Sequence, residues 1–207
     1  MSFDVASMIY RIPAVLFAIS IHEYAHALSA YRLGDKSQCF KGRLTLNPLV
    51  HLDPKGILML IVFGFGWGKP VEIDTSYFRN PQLDNLKVSL AGPAANLFLC
   101  FLAMFLLSLV QKLGVGSTYV YNLLSVMAEL NVWLAFFNLM PIPPLDGCCL
   151  VSVMLPLEMA RDFENVLGRY GMYILIVFIL FGVTDLLVEA PADFYMRLCT
   201  MILSIFF

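Results

Sequence analysis

Charge is scarce in this chain. Of its 207 residues only 14% are Asp, Glu, Lys or Arg, against 60% hydrophobic, and the mean hydropathy is +0.80. That balance excludes a soluble domain with a large core and predicts a membrane protein. The formal net charge of −2 offers no basic excess, so no nucleic-acid partner is expected. Cysteine is sparse: Cys39, Cys100, Cys148, Cys149 and Cys199 include no Cys-x-x-Cys pair, and most read as small buried hydrophobes, not disulfides. There is no internal repeat and no low-complexity tract. The N-terminus, with Asp4 and a single Arg11, does not look like a cleavable signal peptide, so the first apolar stretch is expected to remain in the mature protein.

Histidine is scarce too. The chain has three, and two of them stand in Ser20-Ile21-His22-Glu23-Tyr24-Ala25-His26, inside a stretch apolar enough to span a membrane. Residues four apart share one helix face, one turn from each other. Their imidazoles can grip one Zn²⁺, and the intervening Glu23 can act as general base to a zinc-activated water. The alternative is a pair of polar histidines packed in a helix core. Two imidazoles and a carboxylate are too costly in lipid to be idle.

The rest of the chain reads as an all-α polytopic membrane protein, a bundle of about five to six transmembrane helices or segments with short surface strands, forming one membrane-embedded domain over residues 1–207. Val5 to about Leu33 is the first span, with Pro13 early in it. Arg32 to Lys55 is polar, with a weak alternation at Leu44-Thr45-Leu46. Gly56 to Gly66 is apolar but too short to cross, and reads as re-entrant. Trp67, Tyr77 and Phe78 suit the headgroup level. Lys69 to Asp74 alternates and is a candidate edge strand. Leu86 to Val110 and Tyr119 to Leu139 are further spans, the first containing Gly92-Pro93-Ala94-Ala95-Asn96, whose small residues would let another helix approach closely. Met140-Pro141-Ile142-Pro143-Pro144 cannot be regular helix, and such backbone at membrane depth must be shielded or line a cavity. Leu145 to Leu157 resumes as helix, Gly171 to Leu187 is another span, and Phe194 to Phe207 is a last short apolar segment. Lysine and arginine concentrate between Arg32 and Lys87, which the positive-inside rule places in the cytoplasm.

Two histidines leave zinc short of the three protein ligands a catalytic site uses. The candidates for the third are His51, Asp53, Glu129, Asp146 and the Cys148/Cys149 pair. Asp146 follows the proline break in an apolar region, where a carboxylate is a functional candidate by default; its other reading is a helix N-cap.

His22-Glu23-Tyr24-Ala25-His26, together with Asn138-Leu139-Met140-Pro141-Ile142-Pro143-Pro144-Leu145-Asp146-Gly147, resembles the site-2 protease family of intramembrane zinc metalloproteases. The second stretch fits that family's Asn-x-x-Pro-x-Pro-x-x-Asp-Gly pattern at every fixed position. Gly92 to Asn96 is similar to its Gly-Pro-x-x-Asn segment, and Gly42 to Pro48 and Gly66 to Val71 are similar to surface segments of its short prokaryotic members. The resemblance covers about Ile9 to Leu187. It implies one zinc ion per chain held by His22, His26 and Asp146, with Glu23 as general base and Asn138 and Asn96 lining the active site. It also implies hydrolysis of peptide bonds in or near transmembrane segments of membrane proteins. No segment is long enough for the PDZ domain many members insert, so substrate choice would rest on the membrane core or on partners. Cys148-Cys149 depart from the small or polar residues expected after Asp-Gly.

In such a mechanism the developing oxyanion needs a neutral donor beside the metal. Asn138 is the first choice and Asn96 the second, each with interhelical hydrogen bonding as its other reading. The expected partners are a transmembrane protein substrate and the lipid bilayer, with a homo-oligomer or an accessory membrane protein as further ones. The expected location is a prokaryotic plasma membrane, the active site toward the cytoplasm. A metal transporter is the rival reading, but transport gives no reason for a Glu between the two histidines.

Overall fold

The computed structural model describes residues 5–54, 56 and 68–207. Its order is α1 (Val5–Leu33), α2 (Ser37–Phe40), α3 (Pro48–His51), a 3₁₀ turn (Thr75–Tyr77), α4 (Pro81–Leu113), α5 (Thr118–Asn138), α6 (Cys148–Met154), α7 (Leu157–Leu180) and α8 (Val183–Leu203). Residues 57–67, which include most of the segment read as re-entrant and Trp67, lie outside the described residues.

Local chemistry sets the limits of the long helices. Asn80 caps α4 by accepting from Leu83 N, with Pro81 opening the first turn, and Gly114 closes it at φ 65°, a left-handed cap that glycine adopts without cost. Ser117 caps α5 by accepting from Val120 N. Among the described residues α4 and α5 are long and apolar enough to cross a membrane, and α7, bent by 56° between Glu158–Val166 and Gly168–Leu180, makes a third if counted as one span. That is fewer than the five to six expected. The 29-residue α1 carries Arg11, His22, Glu23 and His26 within its length, and α8 carries Asp185, Glu189, Asp193 and Arg197.

The expected surface strands do not form among the described residues. Only an isolated antiparallel bridge joins Leu52 to Gly68. The extended segments are held by side chains instead of a ladder: Gln38 Nε2 (2.9 Å) and Lys41 Nζ (2.9 Å) both donate to Glu72 O. Asp35 anchors this surface layer. Its carboxylate accepts from Ser37 N (3.0 Å), Gln38 Nε2 (2.7 Å) and Asp74 N (3.1 Å). Burial alone would push its carboxyl up, but these donors outweigh burial and hold it below the usual carboxylate range.

Tight helix packing places the site. Along α1, Ala14, Ala18, His22, His26 and Ala30 repeat every four residues and are all buried. Small side chains on that ridge let α4 and α5 approach closely. Cys100 and Ala103 of α4 meet Ala128 and Val132 of α5 and Ala192 of α8 in one core cluster. A second cluster packs the proline break, through Met140, Ile142 and Leu145, against Leu175 of α7 and Val188 of α8. Ile9, Ile12 and Phe17 of α1, Phe98, Leu102 and Leu106 of α4, and Trp133 of α5 are exposed, as lipid-facing side chains are.

Candidate metal centre

His22 and His26 lie edge to face on α1, ring centroids 4.6 Å apart, with their Nε2 atoms 3.0 Å apart. Asp146 comes from the far side of the proline break, its Oδ2 3.2 Å from each Nε2. It is held there by backbone. Gly147 N donates to Asn138 O at 2.7 Å, folding the break back onto the end of α5. A Cβ at Gly147 would clash with Leu139 O and lie 2.5 Å from Met140 O, so only glycine allows the return.

Hydrogen bonds behind the rings decide which nitrogens face inward. His26 Nδ1 lies 2.7 Å from Val88 O. A carbonyl only accepts, so Nδ1 carries a proton, and in the neutral, metal-binding form Nε2 keeps its lone pair. His22 Nδ1 lies 2.6 Å from Asn96 Oδ1. That amide is oriented in turn: Asn96 Nδ2 donates to Ala18 O (3.3 Å) and to Asn131 Oδ1 (2.8 Å), and Asn131 Nδ2 donates to Met127 O (2.8 Å). Backbone carbonyls at two points of this relay fix both amides, so His22 also presents a bare Nε2.

With both rings neutral, two imidazole lone pairs and a carboxylate oxygen converge with no donor hydrogen between them. Asp146 Oδ2 is buried without a hydrogen-bond partner. Such an acceptor-only cluster repels itself unless a cation fills it. Tetrahedral ligand atoms about 2 Å from zinc stand roughly 3.3 Å apart, close to the observed 3.0 and 3.2 Å. Gly92 of α4 forms the wall: a Cβ there would lie 2.6 Å from His22 Cε1 and 2.7 Å from His22 Nε2, and would also strike His26 Nε2. Two histidines and one aspartate, with room kept beside them, suit a zinc site with an open position.

The other sequence candidates lie elsewhere. His51 is fully buried and donates from Nε2 to Thr45 O at 2.7 Å. Asp53 accepts from Gly56 N. Glu129 is exposed on α5. Cys149 Sγ accepts from Ser89 Oγ (3.0 Å) and Asn85 Nδ2 (3.4 Å), tying α6 to α4 beside the site. Asn96 stands behind His22, fully buried. Asn138 Nδ2 donates to Leu134 O of its own helix at 2.9 Å. Glu23 has a buried Oε2 with no hydrogen-bond partner. The single group of three metal-ligating side chains among the described residues is His22, His26 and Asp146. Sequence reading missed Val88 and Asn131 as the groups that orient the rings. The four-residue recurrence of small residues along α1 was the available signal that α4 and α5 come close enough to do so.

Comparison with known proteins agrees with this geometry. The profile of peptidase family M50 matches residues 115–181. The chain is 37% identical over 189 residues to a candidate zinc metalloprotease of Bacillus subtilis (strain 168), YwhC, covering 89% of this chain and 84% of the relative. It is 32% identical over 148 residues to another candidate zinc metalloprotease, MJ0611 of Methanocaldococcus jannaschii, covering 70% and 71%. With Rip2 of Mycolicibacterium smegmatis the identity is 37% over 139 residues, 64% of this chain and 52% of the relative, so the chain spans about half of that protein. No solved structure matches. Likeness to YwhC along most of both chains, on top of the profile match, establishes that the chain belongs to peptidase family M50, the site-2 protease family, and is a zinc metalloprotease.

Proposed function

We propose that this protein hydrolyses peptide bonds in or near transmembrane segments of membrane proteins, with His22, His26 and Asp146 holding one zinc ion and Glu23 as general base. The observation that carries the reading is the convergence of three bare acceptor atoms within 3.2 Å of one another, set among helices apolar enough to span a membrane. When bound, zinc would supply a Lewis acid that lowers the pKa of water and polarises the scissile carbonyl.

The chain's own residues do the rest. Glu23 Oε2, buried and unbonded, accepts the proton of the attacking water and passes it to the leaving amine. Asn96 and Val88 O keep both rings in the tautomer that presents Nε2. Asn138 serves as the oxyanion donor once its amide exchanges Leu134 O for the substrate oxygen. A helical substrate must unwind before cleavage, because its scissile carbonyl is otherwise committed to the helix ladder. The unladdered segments around Leu44 and Val71 suit an extended peptide by strand addition. The basic residues between Arg32 and Lys87 favour a cytoplasmic active site in a prokaryotic plasma membrane.

The test is zinc content and cleavage of a model transmembrane substrate by the detergent-purified chain, with Asp146→Ala and Glu23→Gln beside wild type. About one zinc per chain is expected, lost or weakened in Asp146→Ala. Glu23→Gln is expected to keep zinc and lose cleavage by a factor on the order of 10² or more. Zinc binding unaffected by Asp146→Ala would refute the ligand set, and a fully active Glu23→Gln would refute the general base.

A further inference from the structure

The surface layer over α1 contains a buried cation that the proposed mechanism does not use. Arg43 is buried, 5% exposed. Its Nη1 donates to Val50 O at 2.7 Å, and its Nη2 donates to Lys69 O. The two segments it joins are also stitched by Lys69 N to His51 O at 2.7 Å and by the Leu52–Gly68 bridge. This seam lies on the Glu23 carboxylate. A Cβ at Gly68 would stand 3.5 Å from Glu23 Oε1, with His51 O and Ile19 Cγ2 each 3.0 Å away. On the other side, Arg43 Nη2 lies 3.9 Å from Glu23 Oε2.

We infer that Arg43 is a positioning residue for Glu23, holding the carboxylate in its working rotamer from outside the metal site. The inference rests on Glu23 being the general base. A carboxylate on a helix has three side-chain torsions, and the buried Oε2 of Glu23 has no hydrogen bond to fix them. A fixed guanidinium in a low-dielectric setting attracts it strongly. The separation of 3.9 Å exceeds hydrogen-bonding range, so the Oε2 lone pair that must take a proton from water stays open. The guanidinium itself cannot swing away, because two backbone carbonyls hold its other donors. Glu23 in return offsets the cost of burying that charge.

The test compares Arg43→Gln and Arg43→Lys in the full chain, with kcat, KM and zinc content measured on a model transmembrane substrate. Arg43→Gln is expected to lower kcat about tenfold or more, with KM within about twofold and zinc at the wild-type level, since misplacing a reacting group by about 1 Å can cost about 10²-fold. Arg43→Lys keeps the charge but cannot bridge both carbonyls. It is expected to recover kcat to within about threefold of wild type while melting at a lower temperature. A change in KM alone, or equal kcat losses in the two variants, would overturn the inference and leave Arg43 as a tie between segments. If Arg43→Gln does not accumulate, Arg43→Lys decides alone: preserved kcat despite a lower melting temperature supports the role, and a kcat loss that follows the melting loss overturns it. Glu23→Gln, run in parallel, separates the two ideas. Full activity there removes the general base and Arg43's role together, whereas an inactive Glu23→Gln beside a normal Arg43→Gln removes only the role of Arg43.

Discussion

Replacing Gly92 by alanine would put a methyl group into the wall of the metal centre. Its carbon would lie 2.6 Å from His22 Cε1 and 2.7 Å from His22 Nε2. Ordinary contact starts near 3.4 Å, so ring and helix must part by about 0.8 Å at that point. Neither ring can yield freely, because Asn96 Oδ1 holds His22 and Val88 O holds His26 from behind. The strain must break one of those bonds or push α4 from α1. Overpacking of this kind costs about 1–3 kcal/mol. Placed on the zinc-bound state, that weakens zinc binding by roughly five- to 150-fold, since about 1.4 kcal/mol is a factor of ten. Competition with a chromophoric chelator on detergent-purified protein reads this directly, and a thermal melt of the metal-free form shows how much of the cost falls on the fold. Zinc affinity equal to wild type in Gly92→Ala would refute the argument, because it would mean α4 does not press on the two histidines.

Two further substitutions probe the surroundings. Asn96→Ala removes the acceptor behind His22 Nδ1 and leaves Asn131 Oδ1 without its donor; zinc affinity should fall about 10- to 100-fold, and an unchanged affinity by the same chelator assay would show that the ring needs no such support. Asp35→Asn should destabilise the surface layer by about 1–3 kcal/mol at neutral pH, because three donors lose a charged acceptor. The folded carboxyl is depressed, so its contribution is full above the unfolded value of about 3.9 and is lost as pH falls through the lower folded value. Melting curves of the two proteins should therefore stay a constant interval apart from neutral pH to about pH 5 and converge only in stronger acid. A gap that widens on acidification would contradict the assigned hydrogen bonds.

Much of the candidate site was legible in the sequence because its parts are local. The four-residue spacing of His22 and His26 needs only a helix, and the three prolines after Met140 forbid one whatever the surroundings. The runs read from Leu86 to Val110 and from Tyr119 to Leu139 fall within or almost within α4 and α5. The C-terminal third was read less well. The apolar run from Gly171 to Leu187 looked continuous, but Gly182 takes φ 68° and divides it between α7 and α8. Phe194 to Phe207, read as a separate segment, is mainly the second half of α8. A left-handed glycine inside an apolar run leaves hydrophobicity unchanged, so periodicity does not detect it. The alternating stretches around Leu44 and Val71 have strand patterning and, among the described residues, no strand partner; His51 takes the Thr45 carbonyl, and Gln38 and Lys41 take the Glu72 carbonyl instead. The amide relay from Asn131 through Asn96 to His22 joins three helices, and nothing in local spacing announces a contact between residues so far apart in the chain.

The order in which the proposed ligands appear along the chain bears on its synthesis. His22 and His26 are made with the first helix, while Asp146 arrives only after α4, α5 and the proline break have followed. Asn96 and Asn131, which aim His22, also come later than the ring they aim. A nascent chain thus holds two of the three proposed ligands before the third has been made. In the proposed reaction, competence then waits until the bundle closes.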